Sequence, residues 1–184
     1  MGIIFKETKL KGAFVIDPET FNDDRGFLAR SFSAKELESH GLNPHIAECN
    51  ISFSRRRYTV RGMHFQHPPH AQAKLVRCTK GAIYDVIIDL RPESPTFKQW
   101  IGEELTAENR RMLYVPEGFA HGFQTLEDDT EVFYQISNFY APGREGGVRW
   151  NDPVFAIAWP ATDGITINQR DQSYPDFKDF SAFR

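Results

Sequence analysis

The chain is divided into short runs in which apolar and polar residues alternate, and turn-forming residues separate these runs at intervals of about ten residues. Alternation with a period of two places successive side chains on opposite faces of a strand. Aromatic residues, which favour strands, make up 14% of the sequence. We therefore expect a mainly β protein, a sandwich or barrel of antiparallel strands. The expected strands lie near residues 13–17, 26–31, 45–54, 59–65, 73–79, 81–89, 98–105, 111–115, 122–125 and 129–138, with weaker ones near 148 and 165.

Three other segments have distinct patterns. Ser33 followed by Glu36 forms a capping box, and Gly41 ends the short helix that this pattern predicts on the outside of the barrel. Residues 81–90 are too uniformly apolar to have a solvated face, which indicates a strand packed on both sides or one at a dimer interface. Residues 172–184 are expected to be a C-terminal tail that packs loosely or onto a partner.

Length and charge limit the classes of protein to consider. A chain of 184 residues is long enough for one domain, 1–184, with its own hydrophobic core. A net charge of −3 provides no basic field for nucleic acid, and Arg55–Arg57 is the only cationic run. Cys49 and Cys78 are too few for a disulfide framework. No window approaches the ~18 apolar residues of a membrane span, so we expect a soluble, cytoplasmic protein.

Two histidines lie beside glycine-bounded breaks. His64 follows Arg61-Gly62, and His121 ends a Pro-x-Gly-x-x-His sequence. A histidine just after such a break can point into a barrel when its neighbours point outwards. One inward histidine is more often a hydrogen-bonded core residue than a catalyst. Two of them with charged residues nearby favour a shared active site.

Lys74 and Tyr134 stand among apolar neighbours. An inward lysine must find an acceptor or lose its charge, because an unpaired ammonium is costly to bury. Taken singly, Lys74 could equally be a surface lysine that snorkels to water, and Tyr134 could be a core aromatic with its hydroxyl bonded to backbone.

A metal site is the competing interpretation of the histidines. A barrel with several histidines could hold an ion, which needs three or four imidazole or carboxylate ligands. Residues three apart on a strand face opposite sides, so His64 and His67 are poorly placed to share an ion. Pro68-Pro69 then breaks the strand before His70. We therefore expect no metal.

Nine blocks of sequence, in order and spacing, resemble the dTDP-4-dehydrorhamnose 3,5-epimerase family. The resemblance extends over roughly residues 3–175. The blocks are residues 21–27, 61–66, 70–76, 84–91, 94–97, 116–123, 134–142, 150–153 and 168–171.

This resemblance implies a double-stranded β-helix, the cupin-like jelly roll, with short peripheral helices, and a homodimer without metal or organic cofactor. The implied reaction inverts C3 and C5 of dTDP-4-dehydro-6-deoxy-D-glucose through enolates, giving dTDP-4-dehydro-L-rhamnose. The implied catalytic roles are His64 as base, Asp171 as its carboxylate partner, Tyr134 as the acid on the opposite face and Lys74 as stabiliser of the enolate. The implied substrate-binding residues are Arg25 and Arg61 for the diphosphate, with Asn50, Glu48, His121, Phe139 and Tyr140 near the substrate.

The sequence departs from the family at three places. Glu48 stands where the family usually has Gln, and an ionised carboxylate cannot donate a hydrogen bond. Phe139 stands where Tyr is common, and residues 168–171 read Asn-Gln-Arg-Asp rather than Ser-Glu-Lys-Asp. These departures leave open a relative that inverts one carbon or takes another nucleotide-diphosphate 4-ketosugar. A sugar-nucleotide-binding cupin without catalysis and a metal-dependent cupin enzyme are the alternatives from other classes.

Overall fold

The computed structural model describes residues 2–177, and within them no helix is long and apolar enough to cross a membrane. Strands dominate this part of the chain, together with two short helices. The elements are β1 (Ile3–Glu7), β2 (Phe14–Pro18), β3 (Thr20–Asp23), β4 (Gly26–Ala29), α1 (Ala34–Ser39), β5 (Glu48–Ser54), β6 (Val60–Gln66), β7 (Lys74–Lys80), β8 (Ala82–Asp89), β9 (Trp100–Thr106), β10 (Met112–Val115), β11 (Phe119–Thr125), β12 (Thr130–Ile136), β13 (Glu145–Gly147) and α2 (Gln169–Gln172).

The strands form two facing antiparallel sheets and a separate hairpin. One sheet has the order β1-β2-β10-β7-β12-β5 and the other has the order β13-β6-β11-β8-β9. Among the strands of residues 2–177, β3 pairs only with β4. From β5 to β13 the chain passes from one sheet to the other at nearly every step, the exception being the β8–β9 hairpin. This is the jelly-roll arrangement of a double-stranded β-helix, so the predicted fold is confirmed.

The main core lies between the two sheets. Strand β8, between β11 and β9, contributes Ile83 and Ile87 to this core. Its alternate residues Val86 and Ile88 belong to a second apolar cluster on the outer face of the same sheet. The apolar character of β8 therefore reflects packing on both faces, one of the two explanations that the sequence offered.

Each outer face of the sandwich is partly covered. Helix α1 buries Leu37 against the six-stranded sheet, and its first turn is capped by Ser33, whose hydroxyl accepts the Glu36 N–H at 3.3 Å as predicted. The C-terminal segment, residues 148–177, lies over the five-stranded sheet and buries Trp159 and Phe177 there. The first residues of the expected tail thus pack against this chain itself, whereas residues 178–184 lie outside the described part.

Several strand boundaries differ from those expected. β11 begins at Phe119 rather than near residue 122, so His121 lies inside a strand and not at its start. The turn before it is as predicted, with Gly118 at a φ of +82°. β1 and β3 were not predicted, because β3 is fully exposed and neither strand alternates clearly. The weak strand near residue 165 is an isolated bridge between Thr59 and Thr166.

Candidate active site

His64 and His121 lie directly opposite each other on the paired strands β6 and β11. Beside them the two strands approach through Gly62 and Gly122. A Cβ on Gly62 would lie 2.5 Å from the Cα of Gly122, and a Cβ on Gly122 would lie 2.7 Å from the carbonyl oxygen of Arg61. Only glycine fits at either position, so Gly122 and Gly62, which was interpreted from the sequence as a chain break, permit this close strand pairing.

His64 is held by a buried carboxylate from the C-terminal segment. Its Nε2 lies 2.8 Å from Oδ1 of Asp171, whose other oxygen accepts the Gly62 N–H at 3.1 Å. Burial alone would raise the pKa of Asp171, but the hydrogen bonds from His64 and Gly62 lower it. Because an ionised carboxylate only accepts, Nε2 of the neutral imidazole carries the proton and Nδ1 carries a free lone pair.

Asp171 is brought to this position by helix α2. Asn168 caps the helix, and its Oδ1 accepts the Asp171 N–H at 2.7 Å. The pairing of His64 with Asp171 is the arrangement that the resemblance implied, although α2 itself was not predicted from the sequence.

His121 is paired with a residue that the sequence interpretation missed. Its Nε2 lies 2.8 Å from Oδ1 of Asp85, which is fully buried. Burial lowers the pKa of His121, partly offset by Asp85, so the ring is neutral at neutral pH. The signal was present in the sequence: Asp85 is the only charged residue in 81–88, and it falls on the inward face with Ile83 and Ile87.

Lys74 and Tyr134 project inwards from the six-stranded sheet. The pocket walls bury the ammonium of Lys74, which lowers its pKa from 10.5 to about 8, against the opposing effect of the Asp85 charge. Lys74 is therefore mostly protonated at neutral pH. Burial also raises the pKa of Tyr134, opposed by the charge of Arg61 and reinforced by that of Glu48, so its phenol keeps its proton.

Two adjoining cavities of about 270 and 160 Å³ share His64, Lys74 and Tyr134 as wall residues. His64 enters from the five-stranded sheet, whereas Tyr134 enters from the opposite sheet. The larger cavity is lined by residues that include Glu48, Asn50, Gln66, Gln72, Tyr140, Glu145 and Arg170. The smaller is lined by Ser52, Arg61, His121, Phe123, Asn168 and Asp171 as well.

Most predicted site residues meet at these cavities, but two do not. Arg25 lies on the β3–β4 hairpin, its side chain is 90% exposed, and it pairs with Asp23. Phe139 is exposed beside the mouth of the larger cavity and is not among its wall residues. Arg61 does reach the smaller cavity, where its guanidinium donates to Ser54 Oγ at 3.1 Å and to the Phe53 carbonyl at 2.9 Å.

The rim of the larger cavity contains a polar network that was not predicted. The Tyr140 hydroxyl contacts the Glu145 carboxylate, which lies 3.6 Å from the Arg170 guanidinium. Arg170 Nε in turn donates to the Tyr174 hydroxyl at 3.1 Å. Tyr174 also meets the ring of His64 edge-on, with ring centroids 6.1 Å apart. This network joins His64 to the mouth of the cavity.

The donor set of the site suits proton transfer better than metal binding. Among residues 2–177, no three His, Cys, Asp or Glu side chains are grouped closely enough to hold an ion. His67, which follows His64 by three residues, packs its ring edge-on against Phe65. A base, a phenol and an ammonium around one cavity can remove a proton, return one, and stabilise the anion formed between these steps.

Comparisons with known proteins identify the family of the chain. A family model described as dTDP-4-dehydrorhamnose 3,5-epimerase matches residues 7–179. The dTDP-4-dehydrorhamnose 3,5-epimerase of Salmonella typhimurium is 41% identical over 176 residues, which cover 95% of this chain and 95% of that protein. Two solved structures are also similar.

The first is the dTDP-4-dehydrorhamnose 3,5-epimerase of Bacillus anthracis, with TDP and PPi bound. It superposes with a TM-score of 0.91 and is 45% identical, covering 96% of this chain and 100% of that one. The second is the dTDP-6-deoxy-D-glucose-3,5-epimerase of Legionella pneumophila in complex with dTDP-4-keto-L-rhamnose. Its TM-score is 0.86 at 34% identity, covering 92% of this chain and 90% of that one. The chain therefore belongs to the dTDP-4-dehydrorhamnose 3,5-epimerase family.

Proposed function

We propose that the protein inverts C3 and C5 of dTDP-4-dehydro-6-deoxy-D-glucose to give dTDP-4-dehydro-L-rhamnose. The observation that carries this proposal is the placement of His64 and Tyr134. Both side chains line both cavities, and they come from opposing sheets. Inversion of a carbon needs a base on one face and an acid on the other. A protein that only binds a sugar nucleotide needs neither.

The chemistry explains the residue types. C3 and C5 both lie next to the C4 ketone, so removal of either proton gives an enolate whose negative charge resides on O4. Lys74 carries a positive charge at neutral pH and stabilises that oxygen from a fixed position, which is the largest contribution in catalysis of this kind. We propose that no metal or organic cofactor takes part, because the ammonium performs the task of a Lewis acid and no electrons are transferred.

His64 acts as the base in this mechanism. Asp171 holds its Nε2–H, so Nδ1 is the atom that removes the proton. The Tyr134 phenol, whose raised pKa keeps it protonated, supplies a proton to the other face of the carbon. Asp85 beside Lys74 and His121 supports the charge of the ammonium in the buried site.

The reaction is tested by incubating the enzyme with the 4-ketosugar in deuterated water and locating the label by NMR. We expect deuterium at both C3 and C5 and product with both centres inverted. Label at C3 alone would establish a single epimerisation and overturn the proposed reaction. Absence of label at both carbons would leave the protein as a sugar-nucleotide-binding cupin.

We propose that the nucleotide lies along the larger cavity and its mouth, with its diphosphate directed towards the adjoining smaller cavity. Arg61, on the wall of the smaller cavity, would hold phosphate oxygens, while Asn50 and Tyr140 line the larger cavity and Phe139 lies beside its mouth. Glu48 faces this cavity and its Oε2 accepts the Tyr140 N–H at 3.3 Å. The carboxylate is thus already bonded to the protein, so the exchange of the family's usual Gln for Glu is compatible with a dTDP substrate.

We propose further that the protein works as a homodimer. Within the part of the chain that the structure describes, the hairpin β3–β4 pairs with no other strand, and it exposes Phe21, Phe27 and Leu28. Strand β5, at the edge of its sheet, exposes Ile51 and Phe53 on the outer face. Exposed apolar side chains on an edge strand and an unsupported hairpin favour burial against a second copy.

A homodimer also gives Arg25 a role that one chain alone does not. Arg25 lies away from the cavities of its own chain, so we expect it to reach the diphosphate in the partner's cavity.

This arrangement is tested by mixing unfolded R25A and H64A chains, each inactive alone, and refolding them together. We expect the mixture to recover about a quarter of wild-type turnover. Half of the dimers are then mixed, and each mixed dimer has one intact site. No recovery, or a monomer by light scattering, would contradict this arrangement.

A cytoplasmic location completes the proposal. Cys49 and Cys78 are free thiols, and free thiols persist in a reducing compartment. We expect the protein to encounter its sugar-nucleotide substrate in the cytoplasm.

A further inference from the structure

The segment that carries Phe139 and Tyr140 is held by side chains rather than by a strand partner. It follows β12 directly and passes along the mouth of the larger cavity. The N–H groups of Tyr140 and Ala141 donate to Glu48 Oε2 at 3.3 Å and to Gln66 Oε1 at 2.8 Å. The Ala141 N–H is partly buried and needs such a partner, and together the two side chains fix where the segment lies.

Gln66 makes two hydrogen bonds to this segment, whereas Glu48 makes one. It is the last residue of β6, it is 5% exposed, and it lines the larger cavity. Its Nε2 donates to the Phe139 carbonyl at 3.2 Å and to the His70 carbonyl at 2.7 Å, while its Oε1 accepts the Ala141 N–H. One amide thus ties the segment at 139–141 to the strand that carries His64 and to the loop after it.

These contacts leave Gln66 without a donor for substrate. A primary amide has two N–H groups, and both are directed at protein carbonyls. Its position in the cavity wall is therefore not explained by a direct contact in the reaction. The side chain therefore acts indirectly, by fixing the position of residues 139–141.

We infer that Gln66 is a positioning residue that sets the affinity for the nucleotide by fixing the rings of Phe139 and Tyr140 at the cavity mouth. This inference rests on the proposed function, in which those rings face the nucleotide. The reacting groups His64, Lys74 and Tyr134 are instead held by strands β6, β7 and β12. Loss of Gln66 should consequently weaken binding and leave the chemical step almost unchanged.

The experiment uses Gln66→Met, which keeps the length of the side chain and removes all three hydrogen bonds. We expect the Kd for dTDP and the KM for the ketosugar to rise about 10- to 100-fold, since three hydrogen bonds to partly buried backbone groups are lost. We expect kcat to stay within about threefold of wild type. Gln135→Met is the matched control, because Gln135 lies on the same strand as Tyr134 but is not part of the cavity wall.

A double-variant cycle separates positioning from general stability. In an F139A/Y140A background, Gln66→Met should change dTDP affinity by less than about threefold, because the rings it positions are gone. Full additivity in that background, or a kcat that falls as much as affinity, would overturn the inference. Gln66→Glu keeps the acceptor for Ala141 and loses both donations, so it gives the same test if the methionine variant does not fold.

The outcomes also distinguish this inference from the proposed function. If the wild-type enzyme places no deuterium in the ketosugar, the proposed function fails. If the wild type does so but Gln66→Met binds dTDP normally, the proposed function stands and only the role of Gln66 is overturned.

Discussion

Replacement of His64 with alanine is expected to lower kcat by about 10²–10⁴-fold and to remove deuterium exchange at both C3 and C5. Of the residues between 2 and 177 that line both cavities, only His64 is hydrogen-bonded to a carboxylate, and this bond leaves its Nδ1 lone pair free to take a proton. The affinity for dTDP should stay within about threefold of wild type, because the base does not hold the nucleotide. Kinetics, NMR of the label and dTDP titration provide the three measurements.

Tyr134→Phe is expected to separate proton exchange from inversion. A general loss of structure would abolish both. Without the phenol, His64 can still remove a proton and return a deuteron to the same face. We expect label in unreacted substrate and little inverted product. His67→Ala serves as the control, since His67 is the neighbouring histidine that is not in the cavity wall. If H64A kept exchange at both carbons, the assignment of the base would be wrong.

Asp171→Asn is expected to lower kcat by about 10²–10⁴-fold while the protein stays folded. Asp171 accepts two N–H groups, from His64 and from Gly62, with different oxygens. An asparagine has one oxygen, so its amide nitrogen must face one of these donors. Either the Gly62 N–H loses its acceptor, or His64 changes tautomer and Nδ1 no longer has a free lone pair.

Asp152→Asn is the matched control for this substitution. Asp152 is also fully buried in the C-terminal segment, and its Oδ1 accepts the Val154 N–H at 2.8 Å. We expect D152N to lower the melting temperature and to leave kcat near normal below that temperature. Equal losses of kcat in D152N and D171N would mean that Asp171 serves structure only.

The fold could be predicted because the alternation of residues survives in most strands. β7, β8 and β12 lie where the sequence indicates, and α1 begins at the predicted cap. β3 could not be predicted, because it is exposed on both faces and its stability comes from the hairpin with β4. The four residues of α2 are too few to show a period, and its cap, Asn168, resembles any polar turn residue.

The site was predicted in part, and mainly through the resemblance to a family. His64, Lys74, Tyr134 and Asp171 were identified by resemblance, and the structure brings them to the same cavities. Asp85 was missed because a single charge inside an apolar run is easily taken as part of that run. The alternation of residues in β8 nevertheless places Asp85 on the same inward face as Ile83 and Ile87.

The pairing of His64 with Asp171 joins residues 107 positions apart in the sequence. Synthesis proceeds from the N-terminus, so the strands that carry His64, Lys74 and Tyr134 leave the ribosome well before α2 does. A nascent chain would therefore present a cavity whose base lacks the carboxylate that orients it. Turnover would start only near the completion of translation, and a stop codon anywhere before codon 171 would yield an incompetent barrel.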